Sequence, residues 1–206
     1  MDVKKEVMKV IVSGREVFGP TSSREGLSWG EFVTWTGLNQ VEELVSLDSF
    51  YNGPIEGLQG VYDTQSDLVG KINDFVHEMV EEKMQHTGLP SEFSLLAILI
   101  YPLTDDLEVL EGDFEFIGYD IVHQSAGHSV LVQLGWMAGM AFHSEVNRYG
   151  LLESAQSASL LLASIRNSFP EMEMVDGSVA AVWRHRTIGR NTLFTRVKES
   201  EAFVVL

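Results

Sequence analysis

Residues 93–101 read FSLLAILIY, a run without a single charge. A helix that spans a bilayer needs roughly 20 apolar residues, so this run is about half long enough. Pro102 and the Thr104-Asp105-Asp106 triplet close it. It reads as a buried strand. A second strand follows at residues 114–122, FEFIGYDIV, whose aromatic and β-branched content suits a pleated surface. Strict alternation puts Phe114, Phe116, Gly118 and Asp120 on one side and Glu115, Ile117, Tyr119 and Ile121 on the other. Neither set is purely apolar, which points to burial on both faces.

Upstream, residues 5–18 read as two short strands, EVMKVIV and REVF, joined at Ser13-Gly14. Ser28 precedes WGEF and has Glu31 three residues on, the signature of a capping box. From there Phe32, Trp35, Leu38, Val41, Leu44, Val45 and Leu47 recur at three- and four-residue steps, and a helix is expected from Trp29 to Leu47. Tyr51 to Tyr62 holds Gly53, Pro54, Gly57 and Gly60 and reads as a loop. A second helix is expected from about Asp63 to His86, with Leu68, Ile72, Phe75, Met79 and Val80 inward and Asp67, Asp74, Glu78, Glu81 and Glu82 outward.

Downstream, SVLVQLGWMAGMAFHS fits either a strand turning at Gly135 or a helix interrupted by glycine. Asn147 to Phe169 carries the best helical seam, through Leu151, Leu152, Ala155, Ala158, Leu161, Leu162 and Ile165, and Pro170 ends it. VAAVWRH at 179–185 reads as a strand and Gly189-Arg190-Asn191 as the turn into a second arm, Thr192 to Val197. No repeat or linker divides the chain. The expectation is one α+β domain over residues 1–206, a mainly antiparallel sheet with about three amphipathic helices packed on it.

Composition narrows the chemistry. The 206 residues include no cysteine, so disulfides, thiolate zinc sites and cysteine nucleophiles are excluded. Charges interrupt the apolar residues of the first 18 positions, unlike a secretory signal, and no lipidation motif is present; the expectation is a cytoplasmic protein that does not engage membrane. The formal charge is -16, from 30 acids and 14 cations. Between Glu42 and Asp120 there are 18 acids against Lys71 and Lys83, so this acidic middle segment alone carries -16. The C-terminal hairpin reverses the sign with Arg184, Arg186, Arg190, Arg196 and Lys198. Direct nucleic-acid binding by the middle segment is disfavoured, since it would bring acid to phosphate. The mixed basic and aromatic hairpin pairs with the acidic region at least as readily as it would bind RNA or DNA.

Specific catalytic motifs are absent. His123, His128 and His143, beside Asp120 and Glu145, have the residue types of a metal site, but their spacing matches no helix-borne signature. Ser125 and Ser129 with His123, His128 and Asp120 have the types of a nucleophile, base and orienter, without the glycine-flanked serine of a nucleophile elbow. Glycines 127, 135 and 139 form no phosphate loop, and no cofactor is implied. Trp29 and Trp35 are six apart and cannot share one tight helical face, so one of them is a candidate interface anchor.

These observations favour a binding protein over an enzyme: an acidic domain that captures a basic protein partner, with Glu78, Glu81, Glu82, Asp105, Asp106, Glu108, Glu111 and Asp113 as contact residues. Immunity proteins and inhibitors that neutralise a basic target work through the same combination of charge and aromatic anchors; the comparison is one of charge and size. The alternative is a hydrolase, metal-assisted or not, using His123, His128 and Asp120 or His143. A homodimer is the rival use of exposed aromatic surface.

Overall fold

The computed structural model describes residues 9–20, 23–24, 26–45, 54–63, 93–100, 114–123, 129, 131, 146–170 and 177–189. Strand β1 (Lys9–Glu16) is followed by the short pair β2 (Ser23–Arg24) and β3 (Leu27–Ser28), then by helix α1 (Trp29–Thr36). Strands β4 (Pro54–Asp63), β5 (Phe93–Ile100) and β6 (Phe114–His123), helix α2 (Ala155–Ser168) and strand β7 (Gly177–Gly189) complete the described elements. The sheet has five strands in the order β4-β1-β5-β7-β6, and every neighbouring pair is antiparallel. The α+β class therefore holds, with two helices among the described residues. The helix expected over 63–86, the hairpin's second arm and the segment 132–145 lie outside them.

The charge-free run is a strand over Phe93–Ile100, between β1 and β7. Both of its faces are buried, which explains why it shows no polar alternation. On one face Leu95, Ala97 and Leu99 join Val10, Val12, Ala181 and Trp183, with Phe32 of α1 and Ala158, Leu161, Leu162 and Ile165 of α2 packed against them. On the other face Leu96, Ile98 and Ile100 join Ile11, Ala180 and Val182, with Val45, Tyr149 and Leu151 over them. Each such fully buried aliphatic side chain contributes about 1.5–3 kcal/mol.

Four expectations need correction. Ser13-Gly14 is no turn, because a single strand runs from Lys9 to Glu16; the register with β4 shifts between Ser13 and Arg15, so the pair marks an irregularity within a ladder. The expected loop at 51–62 is mostly strand β4, since its backbone groups pair with β1 and an edge position tolerates Pro54 and the glycines.

The first helix stops at Thr36 instead of Leu47, because Gly37 adopts φ 72° and donates its N–H to Val33 O at 2.9 Å. Beyond it Leu38, Val41, Leu44 and Val45 are buried as the periodicity required, but on an irregular chain held by Leu44 N donating to Phe18 O at 2.7 Å. The last helix begins at Ala155 instead of Asn147, capped by Ser154 Oγ accepting from Ser157 N at 3.0 Å. Leu151 and Leu152 are buried ahead of it, in a turn.

That turn explains the imperfect alternation of β6. The β6–β7 register shifts between Phe116 and Gly118, and Gly118 takes φ 146°. Phe114, Tyr119 and Ile121 consequently share the helix-covered face, whereas Ile117 and Val122 lie on the other. Asn147 Nδ2 donates to Ile117 O at 2.7 Å, and Tyr119 exchanges both backbone hydrogen bonds with Leu152 at 2.8 Å. The outer edge of β6 is thus partly covered. Among the described residues no helix is long and apolar enough to cross a membrane.

Candidate functional site

Arg184 lies on β7 opposite Glu115 of β6 and Leu96 of β5, on the face away from the helices. Its guanidinium is the centre of the best-connected polar cluster in the described residues. Nη1 donates to Glu43 Oε1 at 2.6 Å, and Nε and Nη2 donate to Glu115 Oε1 at 3.1 and 2.8 Å. Nη2 also donates to Tyr149 Oη at 3.0 Å, and the guanidinium carbon lies 4.7 Å from the centre of the Tyr149 ring. Arg148 donates to the same hydroxyl, lies 4.8 Å from the same ring and reaches Glu42 at 3.8 Å. Burial works against the charge on Arg184, but Glu115, Glu43 and Tyr149 outweigh it and raise its pKa above the usual arginine value. The cluster is internally satisfied, and its chemistry is that of a clasp. It spends one cation of the basic C-terminal segment on Glu43 and Glu115, both of the acidic middle segment.

A second polar group lies inside. Arg15 on β1 is 1% exposed and Asp120 on β6 is 0% exposed. Burial lowers the Arg15 pKa to about 10, while the negative charge of Asp120 acts in the opposite sense. Asp120 Oδ1 accepts from Ile121 N at 2.7 Å and from Ser129 Oγ at 2.8 Å, and Ser129 Oγ accepts in turn from Leu131 N at 3.2 Å.

The residues of the hydrolase reading are only partly brought together. Ser129 donates straight to Asp120, where a catalytic triad would interpose an imidazole. His123 is three residues from Asp120 along a regular stretch of β6, so the two side chains leave opposite faces of the strand. His128, His143 and Ser125 lie outside the described residues. No group of three metal-ligating side chains occurs among the described residues. His185, missed as a structural residue, is buried edge-on against Phe114 at 4.9 Å. Of the acidic contact residues, Glu78, Glu81, Glu82, Asp105, Asp106, Glu108, Glu111 and Asp113 all lie outside the described residues.

The two tryptophans of α1 divide as their spacing required. Trp29 packs on Phe18 at 5.3 Å and on Phe32 at 5.6 Å, while Trp35 is 52% exposed. Phe116 and Leu160 are the other large apolar side chains exposed among the described residues. Charge pointed to pairing between the basic C-terminal segment and the acidic region, but not to these partners, since Glu43 and Arg184 are 141 positions apart. Comparison of the chain with protein-family models, with curated proteins and with solved structures yields no match.

Proposed function

We infer that this chain is an acidic cytoplasmic binding protein that captures and neutralises a basic protein partner, in the manner of an inhibitor or immunity protein. The observation that carries the reading is the concentration of the full formal charge of -16 between Glu42 and Asp120. The Arg184 clasp supports it, because a cation of the basic hairpin is consumed internally at Glu43 and Glu115. A field of one sign raises the rate of encounter with a basic protein and repels phosphate backbones.

The contact surface in this proposal combines Glu78, Glu81 and Glu82 with the acidic stretch Asp105, Asp106, Glu108, Glu111 and Asp113 that precedes β6 in the sequence. The test is retention of proteins from a lysate of the source organism at low and then moderate salt, with mass spectrometry. The expected result is one basic protein retained at low salt and released as salt rises. Reversing Glu78, Glu81, Glu82 and Asp105 to lysine should lower both its affinity and the salt dependence of binding. Unchanged affinity and salt slope in that variant would refute the reading.

A further inference from the structure

Residues three apart on a regular strand leave opposite faces, yet Phe116 and Tyr119 of β6 lie ring to ring on the helix-covered face. The irregularity of β6 brings them together. Ile117 is an extra residue between Phe116 and Gly118 in the register with β7, and Gly118 takes φ 146°. An added Cβ at Gly118 would come within 2.8 Å of Leu151 Cβ, so the bend requires glycine. The Phe116 and Tyr119 ring centres are 5.0 Å apart, and Phe116 meets Trp183 of β7 edge-on at 5.2 Å. Trp183 and Tyr119 are buried, whereas Phe116 is 41% exposed. Trp183 Nε1 is buried and has no hydrogen-bond acceptor among the described residues. A buried indole N–H ordinarily finds an acceptor, so this one is a donor left open. Burial raises the Tyr119 pKa, so its hydroxyl keeps its proton at neutral pH. Glu115 and Arg184, next to Phe116 and Trp183 along their strands, lie on the other face.

An exposed ring, a buried neighbour with an unused donor and the adjacent charges turned to the other face match one chemistry. A planar apolar molecule stacks on Phe116, and a carbonyl oxygen or ring nitrogen that it carries accepts from Trp183 Nε1. Turning Phe116 outward about its Cα–Cβ bond uncovers the indole, a movement that an exposed ring makes without opening the core. We propose that the bulged stretch of β6, through Phe116, Tyr119 and Trp183, is a binding site for an uncharged planar molecule bearing a hydrogen-bond acceptor. Strand bulges recur beside binding sites because they re-aim a side chain, as this one re-aims Phe116 and Tyr119 onto one face. Such a ligand binds whether or not the acidic segment captures a basic protein.

The test uses the full chain and prodan, a neutral naphthalene ketone whose emission rises in apolar surroundings and shifts to the red when its carbonyl accepts a hydrogen bond. The expected result is saturable one-to-one binding. Phe116→Ala should weaken it about ten-fold, through lost stacking and contact area. Trp183→Phe keeps the ring contacts and removes the donor, so it should weaken binding about two- to ten-fold and shift the bound dye's emission to the blue. Leu160→Ala removes a different exposed apolar side chain, on α2, and should bind like the parent. Thermal melts check the folding of each variant, and the exposed position of Phe116 lets its variant decide the matter alone if Trp183→Phe unfolds. Equal affinity in the parent, Phe116→Ala and Leu160→Ala would overturn the site, as would a parent chain that binds no dye saturably. An unshifted emission in folded Trp183→Phe would overturn the part given to the indole. If sedimentation shows a dimer that Phe116→Ala dissociates, the occupant of this face is a second copy and the proposal is overturned.

Discussion

One amide side chain, that of Asn147, satisfies three backbone groups at once. Its Oδ1 accepts from Tyr149 N and Leu151 N, at 2.9 and 3.3 Å, and its Nδ2 donates to the carbonyl left over at the irregularity of β6. Truncation would leave those groups unpaired in a part-buried turn, so Asn147→Ala should cost about 2–4 kcal/mol in urea unfolding. A loss under about 0.5 kcal/mol would refute this account of the turn. Gly150 in the same turn takes φ 72°, and an added Cβ would come within 2.6 Å of Leu44 Cδ1. Gly150→Ala is expected to destabilise by about 2 kcal/mol or more, from backbone strain and the clash together.

Arg15 makes a prediction of different sign. Burial lowers its pKa in the folded chain to about 10, below the ordinary arginine value, so the folded state holds the proton less tightly than the unfolded one. That penalty is fully present below about pH 10 and fades as the pH rises towards the ordinary arginine value. The stability of the parent relative to Arg15→Met should therefore improve as the pH is raised above 10. A constant difference between the two across that window, measured by urea unfolding, would contradict it.

At the level of single elements, α1 is the most dependent on its cap. Eight residues are too few for a helix to persist on its own, so the Ser28–Glu31 box and the burial of Phe32 must hold it. Ser28→Ala should cost about 1 kcal/mol. The Glu31 carboxyl is held below its usual range by Ser28, so this advantage is present above the ordinary carboxyl pKa and is lost as the pH falls through the folded value. The stability gap between parent and Ser28→Ala should accordingly narrow in acid, which a series of thermal melts would detect.

The same elements show what could be read from sequence. The N-cap of α1 and the strands at 93–100 and 114–123 were legible, because capping and unbroken apolar runs are local signals. The burial of Leu38, Val41 and Leu44 was legible too, but their backbone was not: Gly37 ends the helix, while the apolar spacing continues beyond it. β4 was obscured because its glycines favour loops until the ladder with β1 is available. The pairing of the basic segment with the acidic one was legible from charge, but the choice of Glu43 and Glu115 for Arg184 was not, since they lie 141 and 69 positions away. The six-residue spacing of Trp29 and Trp35 indicated that one of them would face outward, but not that it would be Trp35.

Considered as a whole, the molecule is held against its own charge. A formal charge of -16 is self-repelling, and salt shortens the range of that repulsion. The thermal midpoint should therefore rise as sodium chloride is raised from low to moderate concentration. A falling midpoint would mean that attractive pairs outweigh the net field. The clasp should behave differently, because Glu43 is nearly buried and is screened less. Arg184→Met should lose about 2 kcal/mol, allowing for the partial exposure of Glu115, and the loss should persist at moderate salt.

The strand order β4-β1-β5-β7-β6 has a consequence for synthesis on the ribosome. Among the described strands β7 is the last of this sheet in the sequence, yet it occupies an interior position between β5 and β6. Until residues 177–189 have left the exit tunnel, β5 and β6 both lack the described strand that lies between them. The nascent chain must therefore carry the charge-free FSLLAILI strand with one side unpaired until the codons from 101 to 189 have been translated. The dense negative charge translated between Glu42 and Asp120 brackets that strand during the interval, and mutual repulsion between neighbouring polysomal chains would keep its open edge from finding a copy of itself.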